Sequence, residues 1–115
     1  MSVAKIASSR PSPETLTVTG SEGSQDYRLE GAMTFATATR GLQLVKSLLR
    51  PQSRLSLDLS GVIRADSAGV GLLIEWLRLS RKTGSQLRYV HLPDSLRAMI
   101  RVGGVEGMLP IDDSL

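Results

Sequence analysis

The residues of this chain that could do chemistry are Ser67, its neighbour Asp66, and His91, the sole histidine. A hydroxyl, a carboxylate and an imidazole suggest nucleophilic hydrolysis, but their surroundings argue against it. Ala65-Asp66-Ser67-Ala68-Gly69 is not the Gly-x-Ser-x-Gly turn that exposes a hydrolase serine, and nothing marks the donors of an oxyanion hole. Gly69-Val70-Gly71 lacks the third glycine of a dinucleotide loop, and no P-loop is present for ATP. With one histidine and no cysteine, only carboxylates remain for a metal, and Asp112-Asp113 is expected to be solvated. No catalytic residue, metal ligand or cofactor is therefore assigned. What survives is a hydroxyl at the start of a helix. As a cap Ser67 contributes ~1 kcal/mol. A phosphate there adds about −1.5 to −2 charge, which the helix dipole favours and a docked partner would have to desolvate. Asp66 is expected to accept from nearby backbone and orient the turn.

The elements that must position this hydroxyl run from Arg54 to Thr83. Leu55, Leu57 and Leu59 alternate with Ser56, Asp58 and Ser60, the period of a strand with one buried face. Gly61 to Ser67 is expected to be a loop. Val70, Leu73, Ile74 and Leu77 then recur at helical spacing over residues 70–82, and Gly84 supplies the stop. This helix has two apolar faces. Leu72, Trp76 and Leu79 lie nearly opposite the stripe that covers the sheet, whereas a helix on a sheet needs only one. They either pack on neighbouring helices or, because Trp is enriched in interface hot spots, form a docking face for another protein. The expected partner interface is Asp66, Ser67, Ala68, Gly69, Leu72, Trp76 and Leu79.

Elsewhere the chain alternates strands and helices. Met1 to Glu14, with Pro11-Ser12-Pro13, reads as a loose arm, and residues 15–111 as one domain followed by a tail over 112–115. Thr15 to Thr19 and Tyr27 to about Gly31 pair as a hairpin across the turn residues Gly20 to Ser24. A helix opened by Thr34 or Thr37 buries Leu42, Val45, Leu48 and Leu49 and ends at Arg50-Pro51. Leu87 to Leu92 is expected to be a central parallel strand, and a helix after Pro93 buries Leu96, Met99 and Ile100 up to Gly103-Gly104. Met108 to Ile111 closes the order as a short edge strand. The fold class is α/β: a mixed, mostly parallel sheet of four or five strands in the order β-β-α-β-α-β-α-(β).

Bulk properties set limits. The chain has 115 residues, 41% hydrophobic and 22% charged, with a formal net charge of +3. Four aromatics leave little stacking material for single-stranded nucleic acid. Arg78, Arg81, Lys82, Arg97 and Arg101 could meet nucleic acid or anionic lipid, but a solvated face is the expectation, and no nucleic-acid partner is assigned. No apolar run approaches the ~20 residues of a membrane span, and no secretory h-region is present. A cytoplasmic protein is expected, peripheral to the inner membrane through a partner and not inserted.

Asp58-Leu59-Ser60, Val62 and Asp66-Ser67-Ala68-Gly69-Val70-Gly71-Leu72-Leu73 resemble the signature of STAS domains, over about residues 15 to 110. These small α/β modules serve as anti-sigma-factor antagonists and as subunits of some ABC transporters. In the antagonists the matching segment reads Asp-Ser-Ser-Gly-Leu-Gly, and its first serine takes a phosphate. Ser67 holds that position here, while Ala68 replaces the second serine. Leu29-Glu30-Gly31-Ala32-Met33-Thr34-Phe35-Ala36-Thr37 is similar to the Gly-x-Leu-Thr-Phe-x-Thr pattern of MlaB-type subunits, with Met33 for the usual leucine. The resemblance implies a non-enzymatic subunit that binds an MlaF-like ABC ATPase, and through it a membrane permease, in phospholipid transport for outer-membrane lipid asymmetry. The other function it implies is an antagonist regulated by phosphorylation of Ser67.

Overall fold

A computed structural model describes residues 14–20, 23 and 25–113. The expected arm lies outside the described residues apart from Glu14, as do most of the hairpin turn and the end of the tail. Strands β1 (Leu16–Gly20) and β2 (Asp26–Met33) form the antiparallel hairpin, with Leu16 opposite Gly31 and Gly20 opposite Tyr27. A 3₁₀ turn (Phe35–Thr37) leads into α1 (Ala38–Lys46). Then follow β3 (Arg54–Ala65), α2 (Ser67–Thr83), β4 (Gln86–Val90) and α3 (Asp94–Val102). The sheet order is β1-β2-β3-β4, with β2, β3 and β4 mutually parallel. This is the expected mixed, mostly parallel α/β architecture. No helix among the described residues is long and apolar enough to cross a membrane.

One face of the sheet is apolar because Leu55, Leu57, Leu87 and Tyr89 alternate toward the helices. The Tyr89 hydroxyl reaches across the layers and donates to the Leu73 carbonyl of α2 at 2.6 Å. The opposite face carries Arg28, Glu30, Asp58 and Arg88, with contacts between Arg28 and Glu30 and between Asp58 and His91. The core between helices and sheet is aliphatic apart from Trp76 and Tyr89, whose ring centroids lie 6.4 Å apart.

Several boundaries differ from expectation, among them the end of α1 at Lys46 rather than Arg50 and of β4 at Val90 rather than Leu92. β3 continues through Gly61 to Ala65 instead of ending in a loop, and β2 runs on to Met33. The β2–β3 register shifts twice, between Arg28 and Glu30 and again between Gly31 and Ala32. Each shift puts an extra residue in β3, so the inward parity passes from Leu57 and Leu59 to Val62. A strict period of two breaks there although the strand does not. β4 is not central but the last strand of the sheet, and Arg88 is exposed. The final segment contributes one parallel bridge, Tyr89 to Ile111, with Pro110 and Tyr89 carbonyls each accepting at 2.9 Å. Residues Glu106–Met108 ahead of it form a 3₁₀ turn rather than a strand.

Candidate protein-docking site around Ser67

Three devices hold the start of α2. Asp66, not Ser67, is the N-cap: its backbone is extended, and its Oδ1 accepts from the Ala68 N–H at 2.8 Å. Its Oδ2 accepts from the Phe35 N–H at 3.2 Å, so one carboxylate joins the β2–α1 connection to the β3–α2 turn. Gly69 then lies against the end of β2, where an added Cβ would stand 2.6 Å from the Met33 carbonyl oxygen. At the far end of α2, Gly84 takes φ 86° and its N–H closes onto Ser80.

Ser67 is therefore the first residue inside the helix, exposed, with no side-chain hydrogen bond among the described residues. The capping role expected of it belongs to Asp66, because Ser67 is already helical. Thr37, one of the two residues expected to open α1, is fully engaged: its Oγ1 accepts from Thr34 N–H at 2.9 Å and donates to the Ala32 carbonyl at 2.8 Å.

Two shallow grooves flank Ser67. The first, about 460 Å³, runs between α2 and α3 and is apolar, lined by Ser67, Val70, Ala98, Met99, Val102 and Gly103. The second, about 220 Å³, runs between α1 and α2 past Ala68, Gly71 and Leu42. Phe35, 86% exposed, and Val102, 89% exposed, stand at this end of the molecule, the first beside Asp66 and the second in the larger groove. Neither was expected at the surface. Phe35 continues the alternation of Tyr27, Leu29, Gly31 and Met33, which masks its exposure, because β2 ends at Met33 and the 3₁₀ turn leaves the ring outside. Val102 did carry a signal, since it falls off the Leu96–Met99–Ile100 stripe of its helix.

The second apolar face of α2 packs within this chain and is not an exposed docking face. Trp76 is 0% exposed and Leu72 is buried, both beneath this chain's own α1, and Leu79 is partly buried against the same core. The Trp76 indole donates to the Gly41 carbonyl of α1 at 3.1 Å. α2 lies between α1 and α3 as well as over the sheet, which is why one stripe is not enough. Of the expected interface, Ser67 is exposed, Asp66, Ala68 and Leu79 are partly exposed, and Gly69, Leu72 and Trp76 are buried.

The remaining charges sort by their partners. His91 follows β4 with φ 56°, and its Nδ1 lies 3.4 Å from Asp58 Oδ1, so its acidic neighbour is Asp58 rather than Asp66. The tail carboxylates are not simply solvated: Asp112 pairs with Arg88 at 2.8 Å and Asp113 with Arg97 at 2.5 Å. Among the basic residues singled out, Arg78 pairs with Glu75 and Arg101 lies 3.8 Å from Glu106. Arg81 and Lys82 have no ion pair among the described residues.

The family model described as Mlab, STAS domain matches residues 16–110, and the chain belongs to the STAS domain family. None of the curated proteins matches it. Among solved structures it is similar to an anti-sigma factor antagonist from Mycobacterium paratuberculosis, with TM-score 0.69 and 22% identity over 87% of this chain and 86% of that one. It is also similar to a putative anti-sigma factor antagonist from Thermotoga maritima, with TM-score 0.67 and 14% identity over 87% of each chain. Part of SLC26A9 matches at TM-score 0.63 and 22% identity, over 78% of this chain and 18% of that much longer one. At these identities the likeness is one of fold.

Proposed function

We propose that this chain is a non-enzymatic, cytoplasmic STAS subunit that docks through its Ser67 end onto the MlaF-like ATPase of a phospholipid-transport ABC complex. There it supports assembly or activity of the complex, and it meets the membrane permease only indirectly. The observation that carries the docking reading is that Ser67, exposed and with no side-chain hydrogen bond among the described residues, lines an apolar groove with the exposed Val102, while the exposed Phe35 lies beside the adjoining Asp66. Large apolar side chains around a central polar group resemble the desolvated core of a protein interface. The choice of an ABC ATPase rests on the Mlab description of the matching family model and on Ala68 in place of the antagonists' second serine.

The experiment is co-expression with the candidate ATPase and affinity capture, using wild type, Phe35→Asp and Val102→Asp. Wild type is expected to be captured and both variants lost, at unchanged thermal stability. The competing reading is an anti-sigma-factor antagonist, favoured by the exposed Ser67 hydroxyl at the helix start. Stoichiometric phosphorylation of Ser67 by a cognate kinase, without ATPase capture, would decide for that reading.

A further inference from the structure

The charges without ion pairs are not spread evenly. Lys46 ends α1 and Arg50 follows it, Arg54 opens β3, and Arg81 and Lys82 lie in the last turn of α2. In a parallel β-α-β arrangement all five stand at the end where the parallel strands begin, opposite Ser67. Hydrogen bonds tie their segments together: Gln52 N–H donates to the Gly84 carbonyl at 2.9 Å, and Gln86 N–H to Ser53 at 2.8 Å. All five side chains are exposed, and none has an ion pair among the described residues. A polar cavity of about 260 Å³ opens at the same end between Arg54, Arg88 and Gln86. Asp26 is the acidic residue described there, and Glu22 of the hairpin turn lies outside the described residues.

Cations in the last turn of a helix complement its dipole, which accounts for Lys46, Arg81 and Lys82 one helix at a time. It does not account for Arg50 and Arg54, which lie beyond the helices, nor for the convergence of all five on one end. We propose that this basic end seats on an anionic phospholipid surface, leaving the Ser67 end turned away and free. A lipid surface fits better than nucleic acid. The aromatic described at this end, Tyr27, is half-buried with its ring against Gly20, and a single half-buried ring is poor stacking material for successive bases. The two loops carry no exposed large apolar side chain, so nothing inserts and the attraction is electrostatic. It stands apart from the docking reading, because vesicle binding needs no protein partner.

The test is co-sedimentation of the full chain with vesicles of phosphatidylcholine alone or with about 30 mol % phosphatidylglycerol, at about 0.01 M and about 0.15 M salt. Binding is expected only to the anionic vesicles, and to weaken as salt rises. Each cation at such a surface strengthens binding about fivefold, so Arg50→Gln with Lys82→Gln is expected to weaken it about 25-fold. Arg64→Gln with Arg101→Gln removes the same charge from the other end and is expected to leave binding within about twofold. Matching thermal transitions establish that both double variants are folded. The proposal is overturned by absence of binding at low salt, by equal losses for the two pairs, or by tighter binding to an RNA oligomer than to vesicles.

Discussion

The indole of Trp76 is hydrogen-bonded to the carbonyl of Gly41, 3.1 Å away on the neighbouring helix, and no part of the side chain reaches solvent. The apolar ridge that looked like a site for a foreign protein is a contact between two helices of this chain. Truncating a buried aromatic removes transfer energy and leaves a cavity, so Trp76→Ala is expected to lose ~3–5 kcal/mol. Trp76→Phe keeps much of the volume and drops the donor, for a loss of ~1–2 kcal/mol. Urea unfolding measures both. Trp76→Phe is expected to retain partner capture, an outcome that a direct contact through Trp76 would not allow.

Gly69 and Gly71 sit two residues apart in α2 and are expected to respond to alanine with opposite signs. Alanine favours a helix interior over glycine by about 1 kcal/mol. At Gly71 nothing lies within 4 Å of the new methyl, so Gly71→Ala gains up to that amount. At Gly69 the methyl meets the Met33 carbonyl oxygen at 2.6 Å, which is backbone and cannot swing away. The clash of ~1–3 kcal/mol exceeds the propensity gain, and Gly69→Ala is expected to be net destabilising. Thermal denaturation of the pair distinguishes the two.

What was legible in the sequence follows from which interactions are local. The alternation of Leu55, Leu57 and Leu59, the helical spacing after Val70 and the Gly84 stop are set within a few residues, and the structure contains each of them. The bulges of β3, the edge place of β4 and the burial of Trp76 depend on what lies alongside, which a period cannot report. The Asp66–Ser67 turn stood out because cap residues follow local rules. Phe35 did not, because the turn that exposes it interrupts a pattern it otherwise fits.

Asp66 is bonded through both carboxylate oxygens, to Ala68 N–H and to Phe35 N–H. Asp66→Asn keeps one oxygen for the cap and loses the link to Phe35, whereas Asp66→Ala loses both. The expected costs are ~0.5–1 kcal/mol for Asn and ~1–2 kcal/mol for Ala. Backbone amide exchange at Phe35 is expected to quicken in both variants, and exchange at Ala68 only in Asp66→Ala.

Asp58 accepts from the Ser60 N–H at 2.8 Å and lies beside His91 on the open face of the sheet. Partial burial pushes its pKa up, but the Ser60 backbone and hydroxyl and the His91 imidazole outweigh this and hold the carboxyl below its ordinary 3.8. A carboxyl whose pKa is lower in the folded chain stabilises it above the unfolded value. That stability is lost as pH falls below 3.8 through the folded value. Asp58→Asn is expected to lower the urea midpoint at neutral pH and to flatten its decline on the acid side, measured as midpoint against pH.

If the chain docks through its Ser67 end as proposed, substitutions at Ser67 separate folding from docking. Because Asp66 supplies the cap, Ser67→Ala is expected to change stability by less than about 0.5 kcal/mol. Ser67→Glu places a negative charge in the first turn of α2, where the helix dipole favours it by ~0.3–1 kcal/mol. The same carboxylate beside Val70 and Val102 must be desolvated when a partner closes over the groove, at a cost exceeding that gain. The glutamate variant is therefore expected to melt at or above the wild-type temperature yet bind its partner at least tenfold more weakly, with the alanine variant near wild type in both assays. Equal partner affinity for all three proteins would place the contact elsewhere on the molecule.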